Sequence, residues 1–128
     1  MSGYVEAVSQ SLKDAIFSLG ANFLVQGKYD KALTIFDGLL ALDPDYLSAS
    51  IAVGEVLLIN AQYDQALDRF NALIDHGVRD GRIYMGAAKA YSLLGQHDEA
   101  KKIVQSILNG DIPATKAEVY AAKMISES

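Results

Sequence analysis

Apolar positions recur along this chain at spacings of three and four, the period of α-helices that bury one face. Val5, Val8, Leu12 and Ile16 open the pattern. Ile16, Leu19, Gly20, Phe23 and Gly27 continue it as one stripe, and Ala32, Leu33, Phe36, Leu39 and Leu40 form a second stripe facing it. Small residues at Gly20 and Ala32 let two backbones approach closely. Between the stripes lies the phrase Gln26-Gly27-Lys28-Tyr29-Asp30-Lys31-Ala32-Leu33. It returns as Asn60-Ala61-Gln62-Tyr63-Asp64-Gln65-Ala66-Leu67 and as Leu94-Gly95-Gln96-His97-Asp98-Glu99-Ala100-Lys101. Ala32, Ala66 and Ala100 stand 34 residues apart, and a fixed period of that size signals a repeat architecture. Each phrase reads as a corner between two helices. A small residue permits the turn, and Asp30, Asp64 and Asp98 then occupy the place where the next helix needs an N-cap.

The period divides the chain into units 13–46, 47–80 and 81–114 within a single domain, 1–128. Ahead of them, residues 1–12 read as a leading helix. Only Gly20 interrupts the stretch from Glu6 to Val25, so one long helix through to Val25 is the other possibility. Asp43-Pro44-Asp45 closes the first pair, because Pro44 cannot continue a helix interior. At the far end Thr115, with Glu118 three residues later, is a capping box for a helix over 115–127. Ala117, Tyr120, Ala121 and Met124 share one face of it, with Lys116, Glu118, Lys123 and Glu127 elsewhere. That suits a terminal unit with a polar outer face.

The unit resembles the tetratricopeptide repeat, whose pattern is W-x2-L-G-x2-Y…A-x3-F…P. Repeat one matches with Ile16, Leu19, Gly20, Phe23, Ala32, Phe36 and Pro44. Repeat two matches with Ser50, Val53, Gly54, Leu57, Ala66, Phe70 and Val78, and repeat three with Tyr84, Ala87, Ala88, Tyr91, Ala100, Val104 and Ile112. The resemblance implies an all-α fold: a right-handed superhelical solenoid of three helix–turn–helix repeats with flanking N-terminal and C-terminal helices.

Composition narrows the function. Half the residues are apolar and the mean hydropathy is +0.13, so the chain can bury a core. A net charge of −5 disfavours a protein whose work is to neutralise phosphates, so no nucleic-acid partner is expected. No apolar run approaches the roughly 20 residues of a membrane helix, and the N-terminus lacks a signal-peptide pattern. With no Cys in the sequence, the expectation is a soluble cytoplasmic protein. Catalytic chemistry finds no candidate. His97 takes the corner place of Tyr29 and Tyr63 and reads as a packing residue. His76 precedes Gly77 at a helix end, where a cation meets the negative end of the helix dipole. Neither a zinc motif nor a calcium loop is present, so no metal, no cofactor and no enzymatic activity are expected.

The informative feature is a second apolar stripe, rotated by one residue, on the first helix of each pair. Repeat one offers Phe17, Ala21, Leu24 and Val25. Repeat two offers Ile51, Ala52, Leu58 and Ile59 with Glu55 among them, and repeat three offers Met85 and Leu93 with Arg82 and Lys89. In an ordinary helix pair the outer face is polar. By resemblance to the family, this face lines a concave groove where ligands sit, oily at the first two repeats and more basic at the third. The alternative is that the stripe packs against the leading or trailing helix of the same chain. Matching to the family also disfavours the Lys/Asn/Arg clamp of co-chaperones for acidic tails, because Phe17, Ala21, Ala52 and Gly86 stand at the clamp places. A short, acidic, Cys-free chain of about three such repeats resembles the small chaperones of bacterial type III secretion. The resemblance implies a module that holds an apolar helix or extended segment of another protein. A scaffold component or a homodimer in a larger assembly is the other reading.

Overall fold

The computed structural model describes residues 2–128, with side chains from residue 9 onward; the side chains of Val5 and Val8 lie outside the described residues. Seven helices follow one another, and among the described residues there is no strand. They are α1 (Ser2–Val25), α2 (Tyr29–Leu42), α3 (Leu47–Ile59), α4 (Tyr63–Asp75), α5 (Gly81–Leu93), α6 (His97–Leu108) and α7 (Lys116–Ser126). α1 runs unbroken through Gly20, so the leading segment and the first helix of repeat one are a single helix. The chain divides into two compact units, Met1–Val56 and Leu57–Ser128, with the boundary inside α3.

In the first unit α1 packs on α2. Ala32, Phe36 and Leu39 on α2 are fully buried. The Phe36 ring lies so close over Gly20 that a Cβ there would come within 2.6 Å of Phe36 Cε1. That contact is why the repeat needs its glycine. Phe17 extends the aromatic packing, with its ring 5.6 Å from Phe36 and 5.7 Å from Tyr46. Polar bonds tie α1 to the turn after α2. The Tyr46 hydroxyl donates to Asp14 Oδ1 at 2.6 Å, and Lys13 Nζ donates to Asp43 Oδ2 at 3.2 Å. Leu19 departs from its expected core position and stands partly exposed.

In the second unit the same logic repeats with different partners. The Phe70 ring of α4 sits against Gly86 of α5, where a Cβ would approach it to 2.5 Å. Met85, Ala88, Val104, Ile107, Ile112 and Ala122 form one core cluster joining α5, α6 and α7. The connector before α7 is tied back to the start of α5. The Gly81 N–H donates to the Pro113 carbonyl at 2.9 Å, and the Arg79 guanidinium donates to the Asp111 carbonyl.

The corners differ from the sequence expectation in one respect. α2, α4 and α6 begin at Tyr29, Tyr63 and His97, so Lys28, Gln62 and Gln96 are the N-cap residues and make no side-chain cap bond. Asp30, Asp64 and Asp98 lie inside the first turn instead. There they meet the positive end of the helix dipole, worth about 0.3–1 kcal/mol, without capping a backbone N–H. His97 is exposed, whereas Tyr29 and Tyr63 are half-buried. His76 does cap its helix, with Nδ1 2.7 Å from the Ala72 carbonyl.

Candidate protein-binding surface

On α1, the helical turns set by the Gly20–Phe36 contact leave the second stripe on another face. Phe17 is held in place by Phe36 and Tyr46, Ala21 and Leu24 are half-buried, and Val25 at the helix end is almost fully exposed. The aromatic base beneath Phe17 fixes its ring, so little side-chain freedom remains to be lost when a partner docks.

α3 behaves differently. Ile51 and Ala52 are only 2% and 6% exposed, so they do not form the open surface expected of them. The cause is legible in the helix itself. Its sequence, Leu-Ser-Ala-Ser-Ile-Ala-Val-Gly-Glu-Val-Leu-Leu-Ile, is apolar nearly all round, and a helix of that kind buries most of its surface. Glu55 and Ile59 are exposed and Leu58 is half-buried.

On α5, Met85 is buried in the core cluster with Ala122 of α7 and is likewise no part of an open surface. For Met85 the alternative reading, packing against a trailing helix of the same chain, is the one realised. Arg82, Lys89 and Leu93 are exposed. Arg82 is engaged at home: its Nη2 donates to Asp80 Oδ2 at 2.8 Å and its backbone N–H to Asp80 Oδ1 at 2.9 Å. The Arg82 side chain holds the Asp80 carboxyl below its usual range, against the opposing effect of partial burial. Arg82 and Lys89 are thus the exposed basic groups of α5.

Two further apolar residues, which share one face of α7 by their spacing, also stay open. Tyr120 and Met124 on α7 are 69% and 60% exposed. The expected polar outer face of α7 is therefore in part an apolar one. The reason is a one-residue slip in register. α5 has its N-cap at Asp80 and α7 has its own at Thr115, one residue more than the 34-residue period. Counted from the caps, Ala121, Ala122 and Ile125 take the inward places of Gly86, Ala87 and Ala90. Tyr120 and Met124 take those of Met85 and Lys89. The signal was available in the spacing of the capping residues. α7 packs on α6 and touches α5 within the second unit.

Among the described residues there is no group of three or more His, Cys, Asp or Glu placed to hold a metal ion. No buried side-chain nitrogen or oxygen there lacks a hydrogen-bond partner. No helix of the described residues is long and apolar enough to cross a membrane. What the accessible side chains offer is apolar contact, from Phe17, Leu24 and Val25 in the first unit and from Ile59, Leu93, Tyr120 and Met124 in the second.

The tetratricopeptide repeat family matches residues 23–85. No curated protein matches the sequence. Among solved structures, PcrH from Pseudomonas aeruginosa is 26% identical with a TM-score of 0.82, over 91% of this chain and 90% of its own. PcrH in complex with the chaperone binding region of PopD is 28% identical with a TM-score of 0.79, over 92% of this chain and 90% of its own. SycD, a type III secretion translocator chaperone of Yersinia enterocolitica, is 21% identical with a TM-score of 0.84, over 97% and 94% of the two chains; that likeness concerns the fold.

Proposed function

We propose that this chain, built of tetratricopeptide repeats, is a chaperone for a type III secretion translocator and holds an apolar segment of that client. The observation that carries the reading is the likeness to PcrH in its complex with the chaperone binding region of PopD, which spans almost the whole of both chains. The side chains assigned to the work are those that stay accessible. In the first unit they are Phe17, Ala21, Leu24 and Val25. In the second they are Leu58, Ile59, Lys89 and Leu93, joined by Tyr120 and Met124. Exposed apolar groups of this kind mark interaction sites on soluble proteins. The mechanism is burial without chemistry: client and chaperone remove apolar area from water, and the client's segment is kept from aggregating until it is released. Such a chaperone acts in the cytoplasm, where the client is made, and needs no catalytic group.

Each well-buried leucine contributes about 1.5–3 kcal/mol, so a single Leu→Glu change weakens binding about 10- to 100-fold or more. The test is a fluorescence-anisotropy titration of the labelled chaperone binding region of PopD with the purified full chain. Saturable binding is expected, weakened by Leu24→Glu and by Leu93→Glu. Leu42→Glu, at an exposed apolar position outside the assigned residues, leaves it unchanged. Absence of binding by the unmodified chain, or full binding by both first-named variants, overturns the reading.

A further inference from the structure

Two helices end on an asparagine in the same way. Asn60 follows the last residue of α3 and Asn109 the last residue of α6, and both are exposed. The next residue is left-handed in each case, Ala61 at φ 60° and Gly110 at φ 81°. Its N–H reaches back 3.1 Å to the carbonyl three residues before, that of Leu58 for Ala61 and that of Ile107 for Gly110. The two corners therefore match in backbone. They differ beside that nitrogen, where Ala61 carries a Cβ and Gly110 does not. The difference decides a reaction. The side-chain amide carbon of an asparagine can be attacked by the backbone nitrogen of the residue after it, closing a five-membered ring. A Cβ on the attacking residue crowds that approach. The other two asparagines, Asn22 and Asn71, lie inside α1 and α4 and precede Phe23 and Ala72.

We propose that Asn109-Gly110 is a site of spontaneous covalent modification, at which this chain converts to an aspartate form and an isoaspartate form. The Gly110 nitrogen bonds to Asn109 Cγ, the Cγ–Nδ2 bond breaks, and ammonia leaves with the proton of the attacking nitrogen. Water then opens the ring, its hydroxyl going to one of the two ring carbonyls and its hydrogen to the Gly110 nitrogen. Opening at Cγ leaves aspartate. Opening at the main-chain carbonyl routes the backbone through the side chain and lengthens it by a methylene. No group is oxidised or reduced, and water is the one co-reactant. Ring closure needs the Asn109 ψ to swing away from −6°, which breaks the Gly110 and Asp111 hydrogen bonds at the end of α6. Helix ends open locally at small cost. Gly110 has room to follow, because nothing lies within 4 Å of the place a Cβ would take there. Both products put a carboxylate at the C-terminal end of α6, where the helix dipole is itself negative. The longer backbone also disturbs a tie. The connector after Gly110 is held to the start of α5 by the Arg79 guanidinium on the Asp111 carbonyl and by the Gly81 N–H on the Pro113 carbonyl. A methylene inserted at residue 109 shifts Asp111 away from the Ser106 carbonyl and slackens those bonds. None of the residues assigned to the client takes part, so the inference stands apart from that reading.

Peptide-mapping mass spectrometry of the purified full chain, stored at mildly alkaline pH and sampled over days, reads the conversion. The peptide that holds Asn109 should change in mass by the exchange of an NH group for oxygen, and should separate by chromatography into aspartate and isoaspartate species. Asn22, Asn60 and Asn71 should stay intact over the same interval. A synthetic peptide spanning Gln105 to Pro113 sets the clock, and Asn109→Gln should abolish the change. Ala61→Gly is the matched test, because it takes the Cβ from the other corner. Asn60 should then convert at least about tenfold faster than in the unmodified chain. In the isoaspartate fraction, amide exchange at Gly81 and Asp111 should be faster than in the parent. An Asn109 that stays intact while the synthetic peptide converts overturns the proposal. So does an Asn60 that converts as fast as Asn109 in the unmodified chain, or one that gains nothing from Ala61→Gly. Unchanged exchange at Gly81 and Asp111 in the isoaspartate fraction overturns the loosening of the connector.

Discussion

At the scale of residues, the clearest departure from the repeat pattern is Ala61. Five helix ends share one geometry, in which the residue after the cap adopts a left-handed conformation and the next N–H reaches back to the helix. Lys28 donates to the Phe23 carbonyl, Gln62 to Leu57, Val78 to Leu73, Gln96 to Tyr91 and Asp111 to Ser106. Four of the left-handed positions are Gly27, Gly77, Gly95 and Gly110. The fifth is Ala61, at φ 60°. A non-glycine there costs about 1–2 kcal/mol, and the greater freedom of unfolded glycine offsets about 0.5–1 kcal/mol of any gain from replacing it. Ala61→Gly is therefore expected to stabilise the protein by about 0.5–1 kcal/mol, seen as a higher urea midpoint with unchanged slope. Tyr46 provides a pH test. Burial, and then its hydrogen bond to Asp14, push its phenol up to about 12. A raised folded pKa means stability that is whole below the ordinary value near 10 and lost as pH climbs from there towards 12. Unmodified protein should lose stability across that window, and Tyr46→Phe should lose less, in urea melts taken at stepped pH. The same bond, with that from Gln10, holds the Asp14 carboxyl below its usual range.

Among the elements, α7 shows how a small local device sets an exposed apolar face. Thr115 accepts from the Glu118 N–H at 3.2 Å, and Glu118 accepts from the Thr115 N–H at 2.8 Å. This capping box fixes where α7 begins, and its start decides which residues turn outward. Thr115→Ala should cost about 1 kcal/mol, raise amide exchange in the first turn of α7 and weaken binding at Tyr120. Retained protection there would argue that core packing of Ala122 alone holds the helix. The capping box was legible in the sequence, because Thr-x-x-Glu is a local signal. The outward turn of Tyr120 and Met124 was not read, because the spacing that puts them on one face with Ala117 and Ala121 does not say which way that face turns. α3 gave the opposite lesson. Its second stripe was read as surface, although a helix with one charged residue in thirteen had the composition of a buried one.

For the molecule as a whole, the proposed function assigns Phe17, Ala21 and Leu24 on α1 to the client. Leu24→Glu is therefore expected to weaken binding of the PopD region in the titration while helical content by circular dichroism is kept. The helices and their order were largely legible, since apolar residues at steps of three and four report local backbone geometry directly. Repetition reinforced each reading with two more copies.

What the sequence determined by itself was the period, the helix pairs and the place of the small residues. All of these depend on residues close together in the chain. What only the tertiary structure decided was which apolar residues remain accessible. Ile51, Ala52 and Met85 share the spacing of Phe17 and Leu24, yet they are buried, while Leu19 was expected inside and stands partly outside. Spacing fixes the face of a helix on which a side chain lies. Whether that face meets water depends on which other helix arrives over it, and that is a property of the folded chain.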